Sequence, residues 1–219
     1  MLVLRRRTNL LLALLAIKAQ LLLWGISLAQ TQPVSVLIVR HGESDPKQPN
    51  QPLSAVGRQR AELLASTVRG IKFTHLFSSH TTRSRQMLEA IAAKQRLPVV
   101  QLPAPGTTHE RELVTDKTTR RASIEPLAAA LLKLAPGSVA LVSLNSENIF
   151  AIMNKLGVPV APRDQSCELG SMCVPCLENV CYPRKEFDHI WHLVLEAGRP
   201  SPLAFLELRY GTGWRPAVQ

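Results

Sequence analysis

The chain has 219 residues, 46% hydrophobic and 19% charged, which is ordinary globular composition and enough for one domain with a real core. Its net charge of +10 favours anionic substrates. No Lys/Arg run carries interleaved aromatics, so nucleic acid is not an expected partner.

Arg5, Arg6 and Arg7 precede an apolar run from Leu10 to Leu28, and Ser27-Leu28-Ala29 places small residues where a signal peptidase cuts. Residues 1–29 therefore read as a signal peptide, and residues 30–219 as a single domain. Lys18 and Gln20 interrupt the run and argue against a membrane span, the alternative being retention as an N-terminal anchor. Cleavage removes four cations and no acids, leaving a net charge of +6 on the exported, periplasmic or secreted protein.

Val34 to Val39 is a charge-free, mostly aliphatic run, the pattern of a buried strand in a parallel sheet. It ends at Arg40-His41-Gly42-Glu43-Ser44, where ligands bind in open α/β sheets. Ser54 caps a helix from Ala55 to Val68. Phe73 to Phe77 is a short strand, and Thr81 or Thr82 opens a helix reaching about Lys94. Pro98 to Leu102 is a third strand, and the polar stretch from Pro103 to Arg121 is irregular. Ser123 to Leu134 is an amphipathic helix, Ser138 to Leu144 a buried strand, and Ser146 to Leu156 the helix after it. His189 to Glu196 and Leu203 to Tyr210 read as two strands joined like a hairpin at the sheet edge. The strand–helix alternation predicts a three-layer α/β/α sandwich with a mainly parallel sheet and antiparallel edge strands.

The polar cluster invites chemistry. Arg40 offers a planar fork to an oxyanion, His41 a nucleophile near neutral pH, and Gly42 close backbone approach. The run Arg40-His41-Gly42-Glu43 resembles the signature of the histidine phosphatase superfamily, the phosphoglycerate mutase-like fold. Pro52-Leu53-Ser54-Ala55-Val56-Gly57-Arg58 resembles a helix start of that family, with Arg60 where glutamine is common. Ser79-His80-Thr81-Thr82-Arg83-Ser84-Arg85-Gln86 resembles the segment carrying its second phosphate-binding arginine, with Met87 in place of the usual threonine.

The resemblance implies that His41 is the catalytic nucleophile, that Arg40 and Arg83 bind phosphate, and that a loop acid protonates the leaving group. Glu110 is the candidate for that acid and Glu112 the second. It implies a phosphohistidine intermediate and no metal or other cofactor. The pattern departs after the strand ending at Leu144. There Asn145 occupies the place of a second, phosphate-binding histidine, with Glu147 nearby. Asparagine donates a hydrogen bond but carries no charge, and losing such a donor costs roughly 10²–10³ in rate. His109 or His80 would have to lean in to supply an imidazole, and each reads first as an exposed loop histidine. The expected function is a phosphohydrolase acting on a phosphoester or phosphohistidine, in a small substrate or a phosphoprotein. The alternative is a pseudophosphatase that binds a phosphorylated ligand or partner.

The four cysteines, Cys167, Cys173, Cys176 and Cys181, lie in a proline-containing loop at 163–185. In an exported chain they read as two disulfides of undetermined connectivity, with a four-thiolate zinc knuckle as the alternative. His189 and His192 fall on opposite faces of their strand, which argues against a shared metal site.

Overall fold

Seven residues from Val34 to Arg40 form β1, buried along almost its whole length because layers cover both of its faces. In the computed structural model the described residues are 32–48, 50–103, 122–158, 173–174, 182–183 and 186–211. The expected signal peptide, Glu110, Glu112, His109, Cys167, Cys176 and Cys181 lie outside them, as does the side chain of Glu147.

The chain continues through α1 (Ala55–Thr67), β2 (His75–Ser79), α2 (Thr82–Gln86), α3 (Glu89–Gln95) and β3 (Val99–Leu102). Then come α4 (Ile124–Leu132), β4 (Val139–Leu144), α5 (Ser146–Lys155), β5 (Cys173–Val174), β6 (Tyr182–Pro183), β7 (His189–Leu195) and β8 (Pro202–Arg209). Six strands form one sheet in the order β3-β2-β4-β1-β7-β8. β3, β2, β4 and β1 run parallel, while β7 and β8 are antiparallel at one edge. This is the expected α/β architecture. Within the cysteine-rich stretch, β5 and β6 pair as a short antiparallel ribbon where a loop was expected.

Each face of the sheet has its own core. Val36, Ile38, Ala140 and Val142 pack with Leu127 and Leu131 of α4 and Ile152 and Met153 of α5. On the opposite face Leu37, Val39 and Leu141 pack with Ala61 and Leu64 of α1 and Ile91 of α3. Helical spacing builds these layers: Gly57, Arg60, Ala61 and Leu64 form the buried stripe of α1. Ile124, Leu127, Ala128 and Leu131 do the same on α4.

One predicted helix divides. The segment expected to run from Thr81 or Thr82 to about Lys94 is two short helices, α2 and α3. Consecutive residues of a continuous helix point in different directions. The break lets Met87 and Leu88 both bury completely.

Two glycines bring the loop after β1 against α1. A Cβ on Gly57 would sit 2.1 Å from the Glu43 carbonyl oxygen, and one on Gly42 would sit 2.9 Å from the Gly57 oxygen. Ser54 fixes the same junction: its backbone N–H donates to the Glu43 carbonyl (2.9 Å) and its hydroxyl caps the helix by accepting from Gly57 N–H (3.1 Å). Gly57→Ala therefore forces the Glu43 loop and α1 apart. The expected loss is about 3 kcal/mol, at the upper end for overpacking. Chemical denaturation checks it, and an unchanged midpoint would refute the close approach.

Candidate active site

The parallel strands deliver their polar residues to one edge. His41 follows β1, Asn145 follows β4 and His80 follows β2, each one residue beyond the strand. Arg40 is in register with Leu144, Ser78 is in register with Ser143, and His41 N–H donates to Leu144 O at 3.0 Å. The three residues thus stand level across adjacent strands.

His41 is buried, and its tautomer follows from its partners. Nδ1 lies 2.6 Å from the Gly42 carbonyl, which only accepts, so Nδ1 carries the proton. Nε2 keeps its lone pair and accepts from Arg83 Nε–H at 2.9 Å. Burial, then the charges of Arg83 and Arg40, hold the imidazole well below its ordinary pKa of 6.5. The ring is neutral, its nucleophilic nitrogen set beside a guanidinium.

Arg83 comes from the first turn of α2, and its Nη1 also donates to Gln51 Oε1 at 3.4 Å. Gln86, one turn on, accepts from Leu53 N–H at 2.8 Å, fixing the start of α1 to the same element. Arg40 is buried. Its Nη1 donates to the Glu186 carbonyl (2.7 Å) and its guanidinium lies over the Phe187 ring, 3.9 Å from the centroid.

Asn145 is buried at the N-cap of α5 yet makes no side-chain capping bond. Its Oδ1 instead accepts from the hydroxyls of Thr81 (3.1 Å) and Ser84 (3.4 Å). An unused asparagine cap forgoes about 1 kcal/mol of helix stability. Here the side chain is turned toward the segment that bears Arg83.

Glu43 is paired with α1. It accepts a two-pronged pair from Arg60, Nε to Oε2 at 2.8 Å and Nη2 to Oε1 at 2.6 Å. The arginine standing where the family has glutamine therefore clamps the loop that carries His41. Burial acts to lower the pKa of Arg60, but the hydrogen bond and charge of Glu43 outweigh it and the net shift is upward.

His80 is not exposed, contrary to expectation. It is 5% accessible, and its Nδ1 lies 2.6 Å from Ser123 Oγ at the start of α4. Burial, then the charge of Arg83, lowers its pKa to about 4. On the neighbouring strand β7, where Ile190 pairs with Val39, His189 is buried between Glu207, 2.7 Å from Nδ1, and Glu186, and stacks on Trp191. His192 points the other way, its Nε2 2.7 Å from Ser35 Oγ. The opposite-face reading of these two histidines holds. Among the described residues no three His, Cys, Asp or Glu side chains gather as metal ligands.

The buried histidines make stability sensitive to acid. The folded-state pKa values of His41 and His80 lie below the ordinary value of 6.5, so the unfolded chain binds more protons in acid. Their contribution is unchanged at neutral pH and is lost as pH falls below about 6.5, with the His80 share running on to about 4. The thermal midpoint is expected to drop steadily from pH 7 to 5. A flat profile would contradict the burial of these rings.

Phe187, Gln51 and Ser123 carry no signal in the sequence that singles them out. Phe187 sits 6.4 Å from the His41 ring and also lies under Arg60, 5.5 Å from its centroid. It joins the site from a segment far along the chain, and no local pattern marks it.

The chain resembles known proteins over part of its length. Residues 36–104 match the family model of the histidine phosphatase superfamily (branch 1). A curated relative from Proteus mirabilis (strain HI4320), named "Probable phosphoglycerate mutase GpmB", is 32% identical over 101 residues. That match takes in 41% of this chain and 47% of the relative, so the chain spans about half the relative's length. A solved structure from Escherichia coli, described as a proposed alpha-ribazole-5'-P phosphatase, has a TM-score of 0.51 at 13% identity, covering 85% of this chain and 99% of its own. Mycobacterial glucosyl-3-phosphoglycerate phosphatase has a TM-score of 0.49 at 16% identity, covering 82% of this chain and 99% of its own. The matched segment holds Arg40, His41 and Arg83. Over that segment the chain is similar to the histidine phosphatase superfamily.

Proposed function

We propose that the protein is a phosphohydrolase acting on a phosphoester or phosphohistidine through a phospho-His41 intermediate. One observation carries this reading: His41 Nε2 is unprotonated and faces Arg83, with Nδ1–H held by the Gly42 carbonyl. The imidazole lone pair attacks phosphorus in line, and the bond from phosphorus to the leaving oxygen breaks. Arg83 and Arg40 hold the equatorial oxygens and supply the positive charge, so the reading invokes no metal. Glu110, outside the described residues, is the proposed donor of the proton to the leaving oxygen, with Glu112 second. Water then attacks the phosphohistidine, releasing phosphate and restoring the neutral ring.

Asn145 favours a second reading. As a neutral donor in the place of a histidine, it binds phosphate but stabilises the transferring group less, and a binding-only pseudophosphatase would need no more. Export follows in this proposal from residues 1–29, with the cysteines paired as disulfides in an oxidising compartment. Among the described residues no helix is long and apolar enough to cross a membrane. The partner is a small phosphorylated substrate or a phosphoprotein.

Hydrolysis of an aryl phosphate and of a phosphohistidine peptide, with and without vanadate, tests the first reading. Vanadate-sensitive turnover is expected. Phosphate binding without hydrolysis of either compound would favour the pseudophosphatase.

A further inference from the structure

His80 is a buried polar group for which the mechanism above has no use. Its ring is held from one side. Ser123 Oγ accepts from His80 backbone N–H at 3.3 Å and lies 2.6 Å from Nδ1. The Ser123 hydroxyl has one hydrogen, and among the described residues its acceptor is Nδ1. Donation there leaves the ring's own proton on Nε2. That Nε2 is buried and, among the described residues, has no hydrogen-bond partner. Leaving a buried donor unmade is costly, and such groups call for a ligand or another explanation.

Position says what the ligand is. His80 stands level with Asn145 and, one strand further, with His41. Neighbouring strands lie about 4.8 Å apart, so two spacings, about 10 Å, separate the His80 and His41 backbones, and an anion lying between the two side chains can meet both. Thr81, next in sequence, bonds Asn145 Oδ1, and the charge of Arg83 is felt at the His80 ring. The imidazole absent at position 145 has a counterpart one strand over.

We infer that His80 Nε2–H is a neutral hydrogen-bond donor to the phosphoryl oxygens, completing the anion pocket beside Asn145. This rests on the reading of the site as a phosphate pocket. With its pKa lowered to about 4 by burial and then by Arg83, the ring is neutral at neutral pH and donates through Nε2–H without adding charge.

Two isosteres separate a ligand role from a structural one. A glutamine amide nitrogen falls near the position of Nε2, whereas an asparagine amide falls near Nδ1, where its oxygen can accept from Ser123. Inorganic phosphate is titrated calorimetrically into the full-length protein, His80→Gln and His80→Asn. His80→Gln is expected to stay within about threefold of the parent, whereas His80→Asn, which keeps a partner for Ser123, weakens binding by about tenfold or more. Equal affinities for His80→Asn and the parent, or equal losses in both variants, would overturn the inference. Should a variant fail to fold, the ¹⁵N imidazole spectrum of the unmodified protein decides. The His80 Nε2 resonance is expected to move on phosphate addition, and a resonance that stays fixed while phosphate binds refutes the contact. Failure of the unmodified protein to bind either phosphate or vanadate would instead bring down the phosphate-pocket reading, and His80 with it.

Discussion

Replacing His41 with alanine is expected to lower turnover of any phosphoester by about 10⁴- to 10⁶-fold, the range for removing an activated nucleophile. Every feature around the ring serves its Nε2. The Gly42 carbonyl selects the tautomer, and Arg83 and Arg40 act with burial to keep the nitrogen unprotonated. Steady-state kinetics with a chromogenic phosphoester checks this. If Arg40 and Arg83 hold the anion as proposed, His41→Ala should retain phosphate affinity within about tenfold while losing turnover. Loss of binding with turnover intact would invert the assignment.

Replacing Arg83 with methionine is expected to reduce kcat/KM by about 10²–10³, the scale for removing one donor that stabilises developing charge. It also carries a pH signature. Burial is the largest cause of the lowered His41 pKa, and Arg83 is the next. The rate depends on the unprotonated ring, so the acid limb of the pH profile lies below the ordinary value of 6.5 in the parent. Without the Arg83 charge the pKa of His41 rises, and the limb moves to higher pH. Arg83→Lys keeps the charge but not the planar fork, so the limb should stay in place while kcat/KM still falls. A limb that moves down, or an unchanged kcat/KM, would remove Arg83 from the phosphate wall.

Much of this site is legible in the sequence because its pieces are local. Val34 to Val39 reads as a buried strand from composition alone, and it delivers Arg40 and His41 where an open sheet places ligands. Arg83 is legible because a short strand followed by a helix start puts it at the same edge, and its Nε does meet His41. The clamp between Arg60 and Glu43 shows in the sequence only as a departure from the family's glutamine. Its meaning depends on α1 packing flat against the loop through Gly57.

What escapes the sequence is contact between distant segments. Phe187 reaches Arg40 by way of the antiparallel pairing of β7 with β1, which no spacing in the sequence encodes. His80 looks like a loop residue because it lies between polar neighbours, yet it is buried and meets Ser123 at the start of α4. The helix after Thr81 reads as continuous because its residues are good helix formers. Burial of Met87 and Leu88 decides otherwise.

The most direct test is to trap the covalent intermediate. The protein is mixed with a phosphoester, quenched in alkali to preserve phosphohistidine, digested and sequenced by mass spectrometry. The predicted result is a phosphoryl group on His41 in the parent chain, labile to acid, and none in His41→Ala. Sustained hydrolysis without phosphorylation of His41, or hydrolysis that survives His41→Ala, would contradict the mechanism outright.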